Sequence, residues 1–543
     1  MEAQAKATVE LLKVLVADPE NEEHLDELKK RIINGDDSLD HAAHSVIARL
    51  FRISVTWSNC INQQICYPIQ IRKPRCLDDI VTAISDAQKR KITIRATGSG
   101  HSYSNVAPVF KGGLLLDPHD MNRVLIIDPG LLKYPLGAGK LFAVESGITI
   151  KDLNTALDKR NLALANMGAY DGQTLAGAIS TGTHGTGITL GPIASSVRAV
   201  VLVSGDGTVY QIEPSQGISD PEAFDKQVRD RILKQDDDWF NTVVISMGCT
   251  GIIYSYILEV VDSYYLEENR DLSTWEQVKQ DLTFPVEGRL PKVLTENRHY
   301  EVDINPYPVK GRHSCVVQTK NKVDADHPSG SRGIEDWIAG ILAGCPLAEY
   351  WLVRALNLWP TTSPEIINNA LNSLVVKHHI DKSYKILNLG PVDNVKALAV
   401  ELSYPVDEHL VGAIDNLLSV FQNEANKMNW YMAGPFSLRF VAASDAYLAP
   451  QQGRLTCMVE LDMLLGITTG DELLTSITRK VQRGNSQVRV HWGLDLDTIS
   501  KESIKELYPK YSEWFKVYSE LNTMGIFDSP FTDRLEISVN PLR

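Results

Sequence analysis

Three stretches of the chain hold residues whose types and spacing suit chemistry. The first is Ala96-Thr97-Gly98-Ser99-Gly100-His101-Ser102, a glycine-rich turn that ends the β-branched run Ile92-Thr93-Ile94-Arg95-Ala96. Backbone N–H groups exposed in such a turn form a nest for a diphosphate. Glycine is required because a Cβ would block close approach and positive φ. No helix with GxGxxG spacing follows, so the turn is not a Rossmann fingerprint. The second stretch is Gly172-Gln173-Thr174-Leu175-Ala176-Gly177-Ala178-Ile179-Ser180-Thr181-Gly182-Thr183-His184-Gly185-Thr186-Gly187. Its small residues let backbone lie flat against a planar ligand, and its hydroxyls supply hydrogen bonds. The third is His491-Trp492-Gly493. Taken singly, each has an ordinary reading: a random turn, a flexible linker, a packed core pair.

The elements that must position these residues follow from periodicity. Residues 69–71, a helix from Leu77 to about Arg90, and 92–96 form a β-α-β unit. Strands are expected at 114–117, 124–127 and 141–144, then a helix at 150–160. Strands 197–204 and 208–212 flank the turn Gly205-Asp206-Gly207, and a long strand, 252–261, follows Gly248-Cys249-Thr250-Gly251. Strands and helices mix without strict alternation, which gives an α+β class. Residues 262–490 read as a second sheet covered by helices, with strands at 299–304, 397–402, 437–441 and 457–461. The polar stretch 320–331 reads as a mobile loop, and 338–358 as a packed helix pair or an apolar face for a membrane surface or a second copy. The chain divides into a helical extension (1–62), a cofactor domain (63–265), a substrate domain (266–490) and a C-terminal segment (491–543).

Composition narrows the class. The 543 residues carry a net charge of −14, which repels phosphate backbones and argues against a nucleic-acid partner. Seven cysteines lie scattered, with no pair at zinc-site or CxxC spacing, so free thiols in a reducing compartment and no metal are expected. The N-terminus lacks the pattern of a signal peptide, and no run reaches the ~18 apolar residues of a membrane span. The expectation is a cytoplasmic protein, or one associated with a membrane surface. No motif fixes an oligomeric state.

Further segments complete an ordered set: Gly98-Ser99-Gly100-His101-Ser102, Asp120-Met121-Asn122-Arg123-Val124-Leu125, Glu145-Ser146-Gly147, Asn166-Met167-Gly168-Ala169, Thr183-His184-Gly185-Thr186-Gly187, Met247-Gly248-Cys249-Thr250-Gly251-Ile252 and His491-Trp492-Gly493. This set resembles the aldonolactone oxidases which, with alditol oxidase, belong to the vanillyl-alcohol oxidase superfamily. The resemblance is nearly continuous over 65–265, patchy over 266–485, and returns near 437–460 and 491. It implies FAD extended between two α/β subdomains, its diphosphate on the Gly98–Ser102 turn, beneath an α+β cap domain. The cofactor would be bound by Thr97, Gly98, Ser99, Gly100, His101, Ser102, Gly168, Gln173, Thr174, Gly177, Thr181, Thr183, His184, Gly185, Gly251 and Ile252. His101 matches the histidine that many members bond to the flavin 8α carbon. Residues 166–177 contain no cysteine, so one covalent bond at most is expected. Gly168 matches a position where a small residue admits O2 to the reduced ring, which favours an oxidase.

The sequence departs from the family's pattern at the substrate. The family's Glu-x-Arg reads Ser437-Leu438-Arg439 here, and its His-Trp-x-Lys reads His491-Trp492-Gly493-Leu494. Serine alone cannot serve as a general base at neutral pH. Read as a strand, Cys457-Met458-Val459-Glu460-Leu461-Asp462 puts Glu460 and Asp462 on one face, so one of them is expected to replace the lost carboxylate. The resulting catalytic set is Arg439, Glu460, Asp462 and His491. A base near Arg439 takes a hydroxyl proton of a small sugar-lactone or polyol substrate. Hydride passes from the carbinol carbon to flavin N5, and O2 leaves as H2O2. Arg439 holds the charge developing on the substrate oxygen, and His491 lies near the pyrimidine edge of the flavin. Two alternatives stand beside this. One is a tailoring oxidoreductase whose less polar substrate is lined by Trp337, Trp351, Trp359 and Trp430. The other is a flavin-binding protein without catalysis.

Overall fold

The computed structural model describes residues 55–134, 139–286, 288–332, 346–390 and 396–540. The expected N-terminal helices lie almost wholly outside the described residues, as do Trp337 and the start of the 338–358 stretch.

The first unit is a small parallel sheet in the order Gln70–Arg72, Leu114–Leu116, Ile94–Ala96. Helix Leu77–Arg90 connects two of these strands. Ile80, Ala83, Ile84 and Ala87 recur at helical spacing and are buried, acidic Asp78 and Asp79 sit in the first turn, and Lys89 and Arg90 in the last. Those apolar residues pack with Ile94, Leu114 and Leu116 in one cluster.

The second unit is a six-stranded sheet ordered Ile232–Gln235, Val209–Glu213, Val197–Val203, Ile252–Glu259, Leu141–Glu145, Val124–Leu125. Beside it the glycine- and threonine-rich stretch is not extended: residues Leu175–Thr181 form a short helix, capped by Thr174 and ended by Gly182 at φ +86.

The third unit is an eight-stranded antiparallel sheet, ordered Val376–Lys382, Tyr265–Thr274, Ser314–Val323, His299–Ile304, Phe436–Val441, Thr456–Leu464, Ala397–Pro405, Arg489–Val490. Period-two alternation splits its central strands. Phe436, Leu438, Phe440, Val459, Leu461, Val302, Ile304, Val400 and Leu402 share one cluster with Ile414, Leu417 and Phe421 of helix Leu410–Met428 and with Leu473 and Ile477 of helix Gly470–Gly484. The opposite face carries Glu301, Asp303, Ser437, Arg439, Glu460, Asp462 and Glu401. The fold is therefore α+β, as expected. Lys320 belongs to strand Ser314–Val323 and is buried, so the expected loop begins only after Val323.

Two seams join this sheet to the units before it. Thr186 donates through Oγ1 to the Tyr300 carbonyl (2.6 Å) and accepts from the Phe440 N–H (3.0 Å), which docks the glycine-rich segment on two central strands. Beyond the sheet, the chain returns: Tyr103 N–H donates to Gly493 O (2.7 Å), and Ile94 N–H donates to Ile526 O (2.8 Å).

Candidate active site

A cleft opens between the first two units. Its walls hold Thr97, Gly98, Ser99, Gly100, His101 and Ser102, with Gln173, Thr174, Gly177, Thr181 and Gly251 facing them. Gly98 shows why the turn must be bare: a Cβ there would stand 2.1 Å from Thr174 Oγ1. Gly100 holds φ +67, and a Cβ on it would crowd the Asn59 backbone at 3.3 Å. Ser146 Oγ and Gln173 Oε1 are buried without a hydrogen-bond partner, and both residues line the cleft. Buried polar atoms are seldom left unpaired. A bare, narrow cradle with waiting donors and acceptors fits an extended dinucleotide such as FAD.

The remaining expected cofactor residues lie elsewhere. Ile252 is buried in the core of the first unit, and it is Ile253 that faces the cleft. Gly168, Thr183, His184 and Gly185 lie beyond the cleft wall on the side of the large sheet. A Cβ on Gly168 would press on Thr183 Cγ2 at 2.9 Å, and one on Gly185 would meet Met167 O at 2.3 Å.

His101 stacks on Tyr170, with ring centroids 4.3 Å apart, and its Nδ1 lies 3.6 Å from Cys60 Sγ. Burial lowers its pKa, which keeps the ring neutral and nucleophilic. His184 is fixed on both sides. Its Nδ1 donates to Gly185 O at 2.8 Å, and its Nε2 stands 3.1 Å from Glu401 Oε2. Burial opposes its charge, but Glu401 and the Gly185 carbonyl outweigh burial and raise its pKa. Glu401, although buried, is held down to about 2, chiefly by the charge and hydrogen bond of His184 and also by Arg439. His491, whose ring centroid is 6.0 Å from that of His184, is pushed by burial to about 4. It accepts from Gly493 N–H at Nδ1 (3.1 Å), so it is a neutral imidazole.

Across the polar face, Asp303, Ser437, Glu460 and Glu401 stand directly opposite one another on four adjacent strands. Arg439 lies among them. Its Nε donates to Glu301 at 3.0 Å, its Nη1 contacts Glu460, and Glu401 Oε1 is 3.7 Å from that Nη1. Lys320 Nζ donates to Glu301 Oε2 at 3.3 Å. Lys320 and Arg439 hold Glu301 at about 2 against the effect of burial. Asp303 accepts from Ser437 Oγ (2.6 Å) and Gln318 Nε2 (2.5 Å), while burial and the charge of Glu301 raise its pKa.

The structure thus brings Arg439 and Glu460 together, while Asp462 has no side-chain partner among the described residues; burial and the charge of Glu460 push the Asp462 pKa well up. Of the two carboxylates expected to replace the lost one, Glu460 is the one that contacts Arg439. Glu301, Asp303, Glu401 and Lys320 escape the sequence reading. Their signal was alternation: Glu301 and Asp303 share a strand face as Glu460 and Asp462 do. Trp351 and Trp359, offered as apolar lining, are 61% and 62% exposed on and after helix Pro346–Leu358 and are not among the residues that line the cleft.

Known proteins share this construction. A family model described as "FAD binding domain" matches residues 68–213, and one described as "D-arabinono-1,4-lactone oxidase" matches 257–535. The chain is 24% identical over 489 residues to the L-gulono-1,4-lactone dehydrogenase of Mycobacterium tuberculosis, covering 89% of this chain and 99% of that protein. It is 30% identical over 217 residues to the L-gulonolactone oxidase of Mus musculus, covering 40% and 43%. In fold it is similar to cholesterol oxidase from B. sterolicum, with a TM-score of 0.68 at 12% identity, covering 89% and 96%. The family models, with the cleft, define an FAD-dependent oxidoreductase. The chain belongs to the D-arabinono-1,4-lactone oxidase family. Among the described residues, no helix is long and apolar enough to cross a membrane.

Proposed function

We propose that the chain is an oxidase that removes hydride from a carbinol C–H of a small hydroxylated substrate of sugar-lactone or polyol type. FAD supplies the hydride acceptor at N5 and, in an oxidase, the route to O2 that yields H2O2. The carrying observation is the polar sheet face, where Arg439, Glu301, Glu401 and Glu460 meet within ion-pair distance beside the His184 segment. On this reading Glu460 takes the hydroxyl proton. It is the most exposed of the three carboxylates on Arg439, with 19% of its side chain accessible against 12% for Glu301 and 3% for Glu401. Arg439 is shared among three anions, so its role is to hold the base and the substrate oxygen in register rather than to offer a free charge. His491 remains neutral and orients the cofactor edge.

The reading also assigns His101 as the covalent attachment point, Gly168 as the small residue that lets O2 in, and 63–265, 266–490 and 491–543 as cofactor, substrate and returning segments. Polar lining favours it over a tailoring enzyme acting on a less polar metabolite. The test is anaerobic mixing of the purified yellow protein with lactones and alditols, followed by admission of air. Bleaching, then recovery with one H2O2 per turnover, is expected. Recovery only with an artificial electron acceptor would make the protein a dehydrogenase. Glu460→Gln with undiminished turnover would reject that base.

A further inference from the structure

The polar face of the large sheet has more carboxylates than cations. Glu301, Asp303, Glu401, Glu460 and Asp462 face Arg439, Lys320 and His184. The three cations are taken up by Glu301, Glu401 and Glu460. Asp303 is satisfied by neutral donors, Ser437 and Gln318. Asp462 is left: among the described residues its carboxyl has neither a hydrogen bond nor an ion pair. Two further groups there are incomplete. Glu401 Oε1 is buried with no hydrogen-bond partner. The Tyr103 hydroxyl, on a side chain only 6% exposed and near enough to Glu460 and Asp462 to feel their charge, donates to nothing in the described residues. A metal ion does not account for the deficit, because no group of three or more His, Cys, Asp or Glu among the described residues is arranged to hold one.

Resting on the proposed function, we infer that the hydroxylated substrate carries a protonated amine, and that Asp462 is the specificity-determining residue that receives it. A cation beside Asp462 gives its carboxyl the partner that the described residues do not supply, and an ammonium–carboxylate contact is among the stronger hydrogen bonds. A substrate carboxylate meets the opposite situation. Arg439 is already held by three anions, so an aldonate finds no cation to pair with and several carboxylates to repel it. Burial and the charges of Glu460 on its own strand and of Asp303 and Glu401 on neighbouring strands favour the protonated form of Asp462, Arg439 opposes them, and a bound cation draws the proton off. Amine binding therefore strengthens as pH rises, until the amine itself loses its charge.

Three compounds with one six-carbon skeleton isolate the effect: glucamine, sorbitol and gluconate, which end in CH2NH3+, CH2OH and CO2−. Each is mixed anaerobically with the flavin-loaded full chain, beside L-gulono-1,4-lactone, and bleaching is followed against concentration and pH. The expected result is a KM for glucamine at least about tenfold below that for sorbitol, falling as pH rises, with gluconate inert. Asp462→Asn is expected to reduce the glucamine-to-sorbitol preference about tenfold, the loss of one charge-assisted contact. Its flavin absorbance and reduction by dithionite report that it is folded. Sorbitol or the lactone bleaching as well as glucamine, or an Asp462→Asn protein with unchanged preference, overturns the inference and leaves the oxidase reading standing. A yellow protein that none of the four compounds bleaches overturns that reading and the inference with it.

Discussion

His184 and Glu401 meet 3.1 Å apart across the seam between the glycine-rich segment and the large sheet, each side chain 3% exposed. Both ring nitrogens of His184 face acceptors, Gly185 O and Glu401, so the ring is an imidazolium and the pair a buried ion pair. Replacing Glu401 with Ala leaves an unpaired buried charge and is expected to cost about 3–5 kcal/mol, read from urea unfolding. The pH signs differ for the two partners. Glu401, depressed to about 2, contributes stability above the unfolded carboxylate value near about 4.3, and this is lost as pH falls through the folded value. His184, raised, contributes fully below its unfolded value, and this is lost as pH rises through its folded one. The variant should lack both slopes. An unchanged pH–stability curve would mean that the pair is not ionic.

Gly98→Ala is expected to empty the cleft of flavin. The new methyl would stand 2.1 Å from Thr174 Oγ1, the oxygen that caps helix Leu175–Thr181. One of the two walls must move, and cap loss alone costs about 1 kcal/mol. Flavin per protein, from the ratio of visible to ultraviolet absorbance, should fall severalfold while the far-ultraviolet spectrum is retained. A fully yellow variant contradicts the cradle.

Arg439→Met leaves Glu301, Glu401 and Glu460 facing one another without their shared cation. Carboxylates so placed take up protons, and kcat is expected to fall by about 100-fold or more. Arg439→Lys should recover part of the stability but less of the rate, since one ammonium cannot reproduce the guanidinium fork. Equal rates for Lys and Arg would show that charge alone suffices.

Restoring the family's glutamate with Ser437→Glu is expected to harm the protein. Position 437 lies directly between Asp303 and Glu460 on the neighbouring strands, and Ser437 Oγ donates to Asp303. A carboxylate there removes that donor and adds repulsion, for a loss of about 1–3 kcal/mol at neutral pH. Its folded-state pKa would be raised, so the deficit should shrink below about pH 4, where carboxyls are protonated in both states. Melting temperatures at pH 4 and pH 7 decide it.

Arg95→Met tests a different support. This guanidinium, 1% exposed, donates to the carbonyls of Gly248 and Met247 at 2.6 Å each and also contacts Val106 O. Each buried acceptor left unpaired costs about 1–3 kcal/mol, so loss of soluble, flavin-bearing protein is expected. Normal yield and colour would show that water replaces the side chain without penalty.

Much of the cofactor cradle is legible in the sequence because backbone geometry is coded locally. Gly98 and Gly100 announce a bare turn, and the turn lines the cleft. The helix at Leu77–Arg90 is equally plain from its apolar period and end charges. The polar face of the large sheet is a different matter. Asp303 meets Ser437 across 134 residues of chain, and His184 meets Glu401 across 217. Alternation tells which residues share a strand face, but not which strands are neighbours or in what register. Ser437 and the absent lysine therefore read as losses, although Asp303 and Lys320 place a carboxyl and an ammonium on the same face from adjoining strands.

The return of the chain from Gly493 to Tyr103, and from Ile526 to Ile94, also constrains biosynthesis. A nascent polypeptide can form its early sheets on the ribosome, but the strand that carries the flavin turn lacks its last neighbours until the segment through residue 526 has emerged. Cofactor loading is therefore expected to follow synthesis of that segment, and a polypeptide cut short before it is expected to retain little flavin.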